Sequence, residues 1–190
     1  LAFSIMNILA ISGSARRRST NTALLRAMQS IAPKDVVINV FDGIGDLPVF
    51  SPDLEGSDEP DNVRLFKRAV SESDGLIISS PEYVRSLPGG LKNAIDWLVS
   101  GDQVIAKPTA LVHASHRGDD MLETLRTVLS TVSSGFNESL FFRLAVMNEA
   151  PEQILKILEI PSNRQVAERF LFDFATFSQE RLAEDANTKS

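Results

Sequence analysis

The chain of 190 residues contains no cysteine. That excludes a disulfide framework, a thiolate nucleophile, an iron–sulfur cluster and any cysteine zinc site, and it fits a cytoplasmic setting. Redox chemistry, if the protein performs any, must come from a bound cofactor. With only two histidines, His113 and His116, and neither HExxH nor a cysteine ligand beside them, no metal site is expected. No uncharged apolar run approaches the roughly 20 residues that span a bilayer, so no membrane association is expected. Positive charge is scarce too. Nineteen Lys and Arg stand against 25 Asp and Glu, a formal net charge of −6, and the one basic cluster, Arg16 to Arg18, is local. A nucleic-acid partner is not expected, because phosphate backbones demand a broad basic face. The opening LAFSIM has no basic n-region or cleavage site, so it is not read as a secretory signal; Met6 stands where an original start would, leaving residues 1–5 as an extension.

What is present is an alternation of two periods. NILAI is a short apolar run before SGS, and NTALLRAMQSIA then places Leu24, Leu25, Met28 and Ile31 at helical spacing, with Pro33 ending the helix. DVVINVF reads as a second strand, followed by a long loop from Asp42 to Pro60 rich in glycine, proline and acids, the kind that is functional or mobile. A helix face from Val63 to Val70 precedes GLIISS, a strand apolar on both faces; LKNAIDWL is an amphipathic helix and TALVHAS a fourth strand. A further helix carries Leu122, Leu125, Leu129 and Val132, SLFFRLAV reads as the fifth strand, and NRQVAERFLFDFATFSQERLA as the last helix. The pattern predicts an α/β fold: one doubly wound, five-stranded parallel sheet with helices on both faces, as a single domain over residues 1–190 with a polar tail at 185–190.

Ligands of such sheets bind beyond the carboxyl ends of the strands, which nominates three loops: SGSARRRSTN, SPEYVRSLPGG and ASHRGDDM. In the first, Gly13 permits a sharp turn, Ser14, Ser19 and Thr20 offer hydroxyls, Asn21 can cap or donate, and the following helix presents free amides with a partial positive charge. Arg16 adds a charge-assisted bond. Those are the ingredients of a phosphate cradle. An N-cap turn with three solvated arginines uses the same residues, and both readings stand at this stage. The loop has neither the P-loop Lys-Ser/Thr pair nor GxGxxG.

GSARRRSTN resembles the GSxRxxSxN signature of the NAD(P)H-dependent FMN reductases, and SPEYVRSLPGGLKNAIDWL is similar to that family's PEYNxSxPGxLKNAIDW segment. DLPVFSPDL also looks like the family's segment after the second strand. The resemblance implies a flavodoxin-like fold and FMN as cofactor, with Ser14, Arg16, Ser19, Thr20 and Asn21 around its phosphate. Pro81, Glu82, Tyr83 and Val84 would border the isoalloxazine, and Ser115 its pyrimidine side. NADPH or NADH would give a hydride to flavin N5, which passes on to a small-molecule acceptor of quinone type; no catalytic side chain is required for that step. Homodimers or homotetramers are likewise implied. The chain departs from the pattern at Val84, where the family has Asn, at Arg85, and in the third loop, where only Ser115 and Gly118 match a run of Ser and Gly.

Other readings from the residues compete with these. Arg85 is first a solvated loop arginine and second a contact for nicotinamide phosphates. Glu82 is either a flavin-edge acceptor or electrostatic support for a nearby helix start. Trp97 reads as core or interface, and Phe170, Phe172, Phe174 and Phe177 as core packing or a subunit contact. A non-catalytic flavin- or nucleotide-binding module is the alternative function. A phosphate-ester enzyme finds no paired nucleophile and base.

Overall fold

The computed structural model describes residues 5–188. Five strands, β1 (Met6–Ser12), β2 (Val36–Phe41), β3 (Gly75–Ser79), β4 (Thr109–His113) and β5 (Phe136–Arg143), form one parallel sheet in the order β2-β1-β3-β4-β5. Between them run α1 (Thr20–Ile31), α2 (Asp61–Glu72), α3 (Gly89–Val99) and α4 (Asp119–Val132), followed by the short α5 (Ile154–Leu158) and the long α6 (Pro161–Thr188). Of the extension expected at residues 1–5, residues 1–4 lie outside the described residues; in the polar tail, 185–188 continue the helical backbone of α6 and the last two residues are not described.

Alternation along the central strands feeds two cores. Ile8, Ala10, Ile77, Ala110 and Val112 face α1, α5 and α6, whereas Leu9, Ile11, Leu76, Ile78 and Leu111 face α2, α3 and α4. Since β3 and β4 are buried on both sides, they read as continuous apolar runs rather than as alternation. Phe170 and Phe174 lie in the first core with rings 6.3 Å apart and nearly parallel, and Phe142 joins them. Phe177 packs at its margin, so core packing accounts for three of the four α6 phenylalanines; Phe172 stays exposed.

Prolines and caps set the boundaries. Ala32, held extended before Pro33, stops α1, and Pro60 and Pro88 occupy the N-cap positions of α2 and α3. The fifth strand begins earlier than the apolar pattern indicated, at Phe136, and ends at Arg143. Beyond it Leu144 and Val146 still donate to His113 and Ala114, so the expected residues follow the sheet without strand geometry. The α5 turn was not read from sequence, although Ile154, Ile157 and Leu158 carry helical spacing there. The loop from Asp42 to Pro60 is built of three short 3₁₀ turns and is fastened to α3.

The strand order reverses direction between β1 and β3. Chain leaving β1 passes to one face of the sheet and chain leaving β3 to the other, which opens a crevice at their carboxyl ends where ligands of doubly wound sheets are held.

Candidate functional site at the carboxyl ends of β1, β3 and β4

The first loop leaves β1 in close contact with β3. Gly13 donates its N–H to Ser79 O at 2.7 Å, and a Cβ on Gly13 would lie 2.7–2.9 Å from Ser80 and Leu91. Only glycine allows that approach. Ser14 is buried and its Oγ accepts the Arg16 amide (3.2 Å); Ser19 is the N-cap of α1 and its Oγ accepts the Thr22 amide (3.3 Å). A hydroxyl that accepts from the backbone keeps its own hydrogen to donate, so capping and anion binding are compatible uses of both serines. Asn21 is buried, with Oδ1 accepting from Ser79 Oγ at 2.9 Å; its amide donors are left for another acceptor. Thr20 opens the helix, and the amides of the first turn have no carbonyl partner inside α1. Arg18 pairs with Glu152 at 2.6 Å, while Arg16 and Arg17 are exposed and pair with no acid among the described residues.

The second loop leaves β3 at Ser80 and makes a tight reversal. Tyr83 N–H donates to Ser86 O (2.9 Å) and Ser86 N–H to Tyr83 O (3.1 Å), enclosing Val84 and Arg85 at φ 51° and 59°. Positive φ at both central residues defines a type I′ turn, which favours Asn and Gly and which a β-branched residue rarely enters. Two ties hold it against α4. Glu82 Oε2 accepts the Met121 amide in the first turn of that helix (3.2 Å), and Arg85 Nε lies 2.5 Å from Asp120 Oδ2. Glu82 therefore supports a helix start, the electrostatic reading of the sequence, and Arg85 is exposed but paired. The carboxyl of Asp120 is held below its usual range by that guanidinium.

The third loop is arranged around His113, the last residue of β4. Its buried ring places Nε2 2.5 Å from Arg117 O and leaves Nδ1 without a partner. Burial lowers its pKa, which favours the neutral ring, and Nε2, facing a carbonyl oxygen, is the nitrogen that donates. Gly118 caps α4 at φ 95°, and a Cβ there would meet the His113 ring at 2.9 Å, which explains the glycine. Ser115 Oγ accepts the Arg117 amide (3.0 Å) and approaches Met147 Sδ. His116 is exposed, and no cluster of three His, Asp or Glu suited to a metal occurs among the described residues.

The site thus offers hydroxyl, amide and guanidinium donors at the head of α1, where the Glu152 carboxylate is engaged by Arg18 and none is bonded to Ser14, Arg16, Ser19 or Asn21, and rigid backbone along β3. The model of the NADPH-dependent FMN reductase family matches residues 6–140. The chain belongs to that family. Proteins similar to it include the 2-hydroxy-1,4-benzoquinone reductase of a Burkholderia species, 47% identical over 92 residues (48% of this chain, 49% of that one). The quinone reductase of Escherichia coli K12 is 35% identical over 115 residues (60% and 61%). The chain thus spans about half to three fifths of the length of these curated relatives. Among solved structures, the flavoenzyme NAD(P)H:(acceptor) oxidoreductase FerB of Paracoccus denitrificans superimposes with a TM-score of 0.73 at 25% identity, covering 93% of this chain and 99% of that one.

The matched region of this FMN reductase family member contains all the cofactor-site residues expected from sequence, on three loops that leave neighbouring strands. Ser14, Arg16, Ser19, Thr20 and Asn21 gather at the α1 terminus; Pro81, Glu82, Tyr83 and Val84 border the second loop; Ser115 stands on the third. Val84 is 99% exposed, so it packs against none of the described residues. Sequence reasoning missed Ser80, whose buried side chain meets Gly13, and His113 as the prop of the third loop. It also missed Asn93, which fastens the loop before α2. No helix among the described residues is long and apolar enough to cross a membrane.

Proposed function

We propose that the protein is an FMN-containing reductase that takes a hydride from NADPH or NADH and delivers it to a small acceptor of quinone type. The observation that carries this reading is the cluster of hydroxyl, amide and guanidinium donors at the α1 terminus, set at the strand-order reversal together with the bare backbone of Gly89. Ser14 and Ser19 hydroxyls, the Asn21 amide, the first amides of α1 at Thr20 and Asn21, and the unpaired Arg16 suit a phosphate dianion. A Cβ on Gly89 would meet nothing within 4 Å, so the fold does not itself require glycine there. A bare backbone at that point leaves room for a flat ring. Pro81 to Val84 would border its edge and Ser115 its pyrimidine side.

Bound in this cradle, FMN supplies the hydride-transferring centre, so the protein need only hold and orient it. Overall, NAD(P)H loses a hydride and a quinone gains that hydride and a solvent proton. Glu82 and Arg85, engaged with α4, keep the ring-edge backbone fixed. The chain is read as one domain acting in the cytoplasm as a homodimer or homotetramer; exposed Val166 and Phe172 on α6 support a contact between copies, which light scattering would measure.

The test is spectroscopic. Purified protein should show or acquire a saturable flavin absorption spectrum with FMN, and anaerobic NADPH or NADH should bleach it, with colour returning on addition of a benzoquinone. No saturable FMN binding would overturn the reading; bound flavin that neither nucleotide bleaches would replace it with a non-catalytic flavin module.

A further inference from the structure

Val84 stands in a position where the fold gives no reason for valine. Its backbone is at φ 51°, within the left-handed region that β-branched side chains avoid, and it is followed by a second non-glycine residue at φ 59°. Its side chain is 99% exposed and so gains nothing from packing, while Tyr83 beside it is half exposed. On local grounds Asn or Gly would be preferred. The strained backbone is nevertheless fixed from several sides: by the paired Tyr83 and Ser86 bonds, by Glu82 on the Met121 amide and by Arg85 on Asp120. A side chain that costs local stability, packs against none of the described residues and is held rigidly beside the strand-end crevice is placed for something that arrives from solvent.

We infer that Val84 is a specificity-determining residue that, with the Tyr83 ring, forms an apolar lip against which a planar, uncharged acceptor rests. The inference builds on the proposed function and names what that site selects. An aromatic or quinonoid ring loses apolar surface to water against such a lip; a hydrated anion gains nothing from it. The turn's rigidity matters because a preorganised contact costs no ordering when the acceptor binds. Arg85 beside it is turned to Asp120 on α4 and paired with it.

The test compares the wild type with Val84→Asn and Val84→Thr, each loaded with FMN and supplied with NADPH. The quantity read is the ratio of kcat/KM for 1,4-naphthoquinone to kcat/KM for ferricyanide, together with Tm. Asn relieves the left-handed strain and removes the apolar tip, so Val84→Asn should raise Tm by a few degrees and lower the ratio several-fold, mainly through KM for the quinone. Thr keeps the branched shape and the strain while replacing a methyl by a hydroxyl, so it should lower the ratio without raising Tm. A wild type that turns over while both variants leave the ratio unchanged would overturn this inference alone. A change in molecular mass by light scattering that accompanies the loss would also overturn it, since Val84 would then belong to a contact between copies. A wild type that binds no FMN, or is not bleached, would overturn the proposed function and this inference with it.

Discussion

Asn93 and Trp97, one turn apart on α3, both donate to the carbonyl oxygen of Pro48, at 2.9 and 2.8 Å. Asn93 Oδ1 also accepts the Phe50 amide at 2.8 Å, and the Phe50 ring stands edge-on to the Trp97 indole. The LKNAIDW helix therefore does more than pack behind the second loop: it grips the segment after β2. That segment in turn abuts the first loop, where a Cβ on Gly45 would lie 2.9 Å from that of Ala15.

Removal of this grip should be measurable and non-additive. Trp97→Phe deletes one donor while Asn93 still satisfies Pro48, and it also leaves space where a fully buried indole stood, for a loss of about 2–3 kcal/mol in urea unfolding; Asn93→Ala deletes several bonds and should cost about 1–3 kcal/mol. The double variant leaves the Pro48 oxygen unpaired and should lose more than the sum of the two. Strict additivity would mean that the shared carbonyl is not the point of coupling.

Arg16 and Ser19 separate binding from folding. Arg16 is exposed and pairs with no described acid, so Arg16→Ala should shift stability by no more than about 0.5 kcal/mol. It should weaken FMN binding about tenfold, the loss of a charge-assisted bond. Ser19→Ala removes the α1 cap and should lower stability by about 1 kcal/mol as well as weakening FMN. Fluorescence titration with FMN and urea unfolding, run on both variants, would distinguish these signatures.

Two glycines should respond in opposite ways. Gly13→Ala drives a methyl against Ser80 and Leu91 and should destabilise by about 1–3 kcal/mol. Gly89→Ala, in the first turn of α3 with open space around it, should be neutral or stabilise by about 0.4–1 kcal/mol through the unfolded chain. If the flavin ring passes along that backbone, Gly89→Ala will nonetheless reduce FMN affinity. Unchanged affinity would move the ring away from α3.

His113 gives stability a pH dependence of known sign. Burial, and secondarily Arg143, lower its pKa from the ordinary 6.5, with Arg117 O, Asp119 and Ser80 acting in the opposite direction. The unfolded chain then takes up its proton first as pH falls. Stability from the neutral ring is complete above about pH 6.5 and declines below it until the folded pKa is reached. Asp119 and Asp120, whose pKa values are lowered by Arg143 and Arg85, lose their contribution only in the carboxylate range, at lower pH. Tm measured from pH 7.5 to 5 should therefore fall more steeply in the wild type than in His113→Gln. Parallel curves would exclude His113 as the source.

The fold was legible because its signals are local. Apolar runs, helical spacing and proline stops specify strands and helices through backbone sterics and burial, and they carried four of the five strands closely. The fifth shifted because edge pairing with β4 and an irregular register, not the apolar pattern, define where β5 begins and ends. The same locality exposed the Ser-rich loop as a helix start able to hold an anion, and Val84 as a departure from its family.

Tertiary structure alone decided how those parts are used. Glu82 is drawn to the α4 amides, Ser80 is pressed against Gly13, and His113 is buried beneath the third loop, because strands far apart in sequence end side by side. No periodicity encodes such contacts. Nor does residue type reveal that Val84 is strained: a backbone angle is set by the closure of a turn and by the ties on either side of it, and these exist only once β3 and α4 have come together.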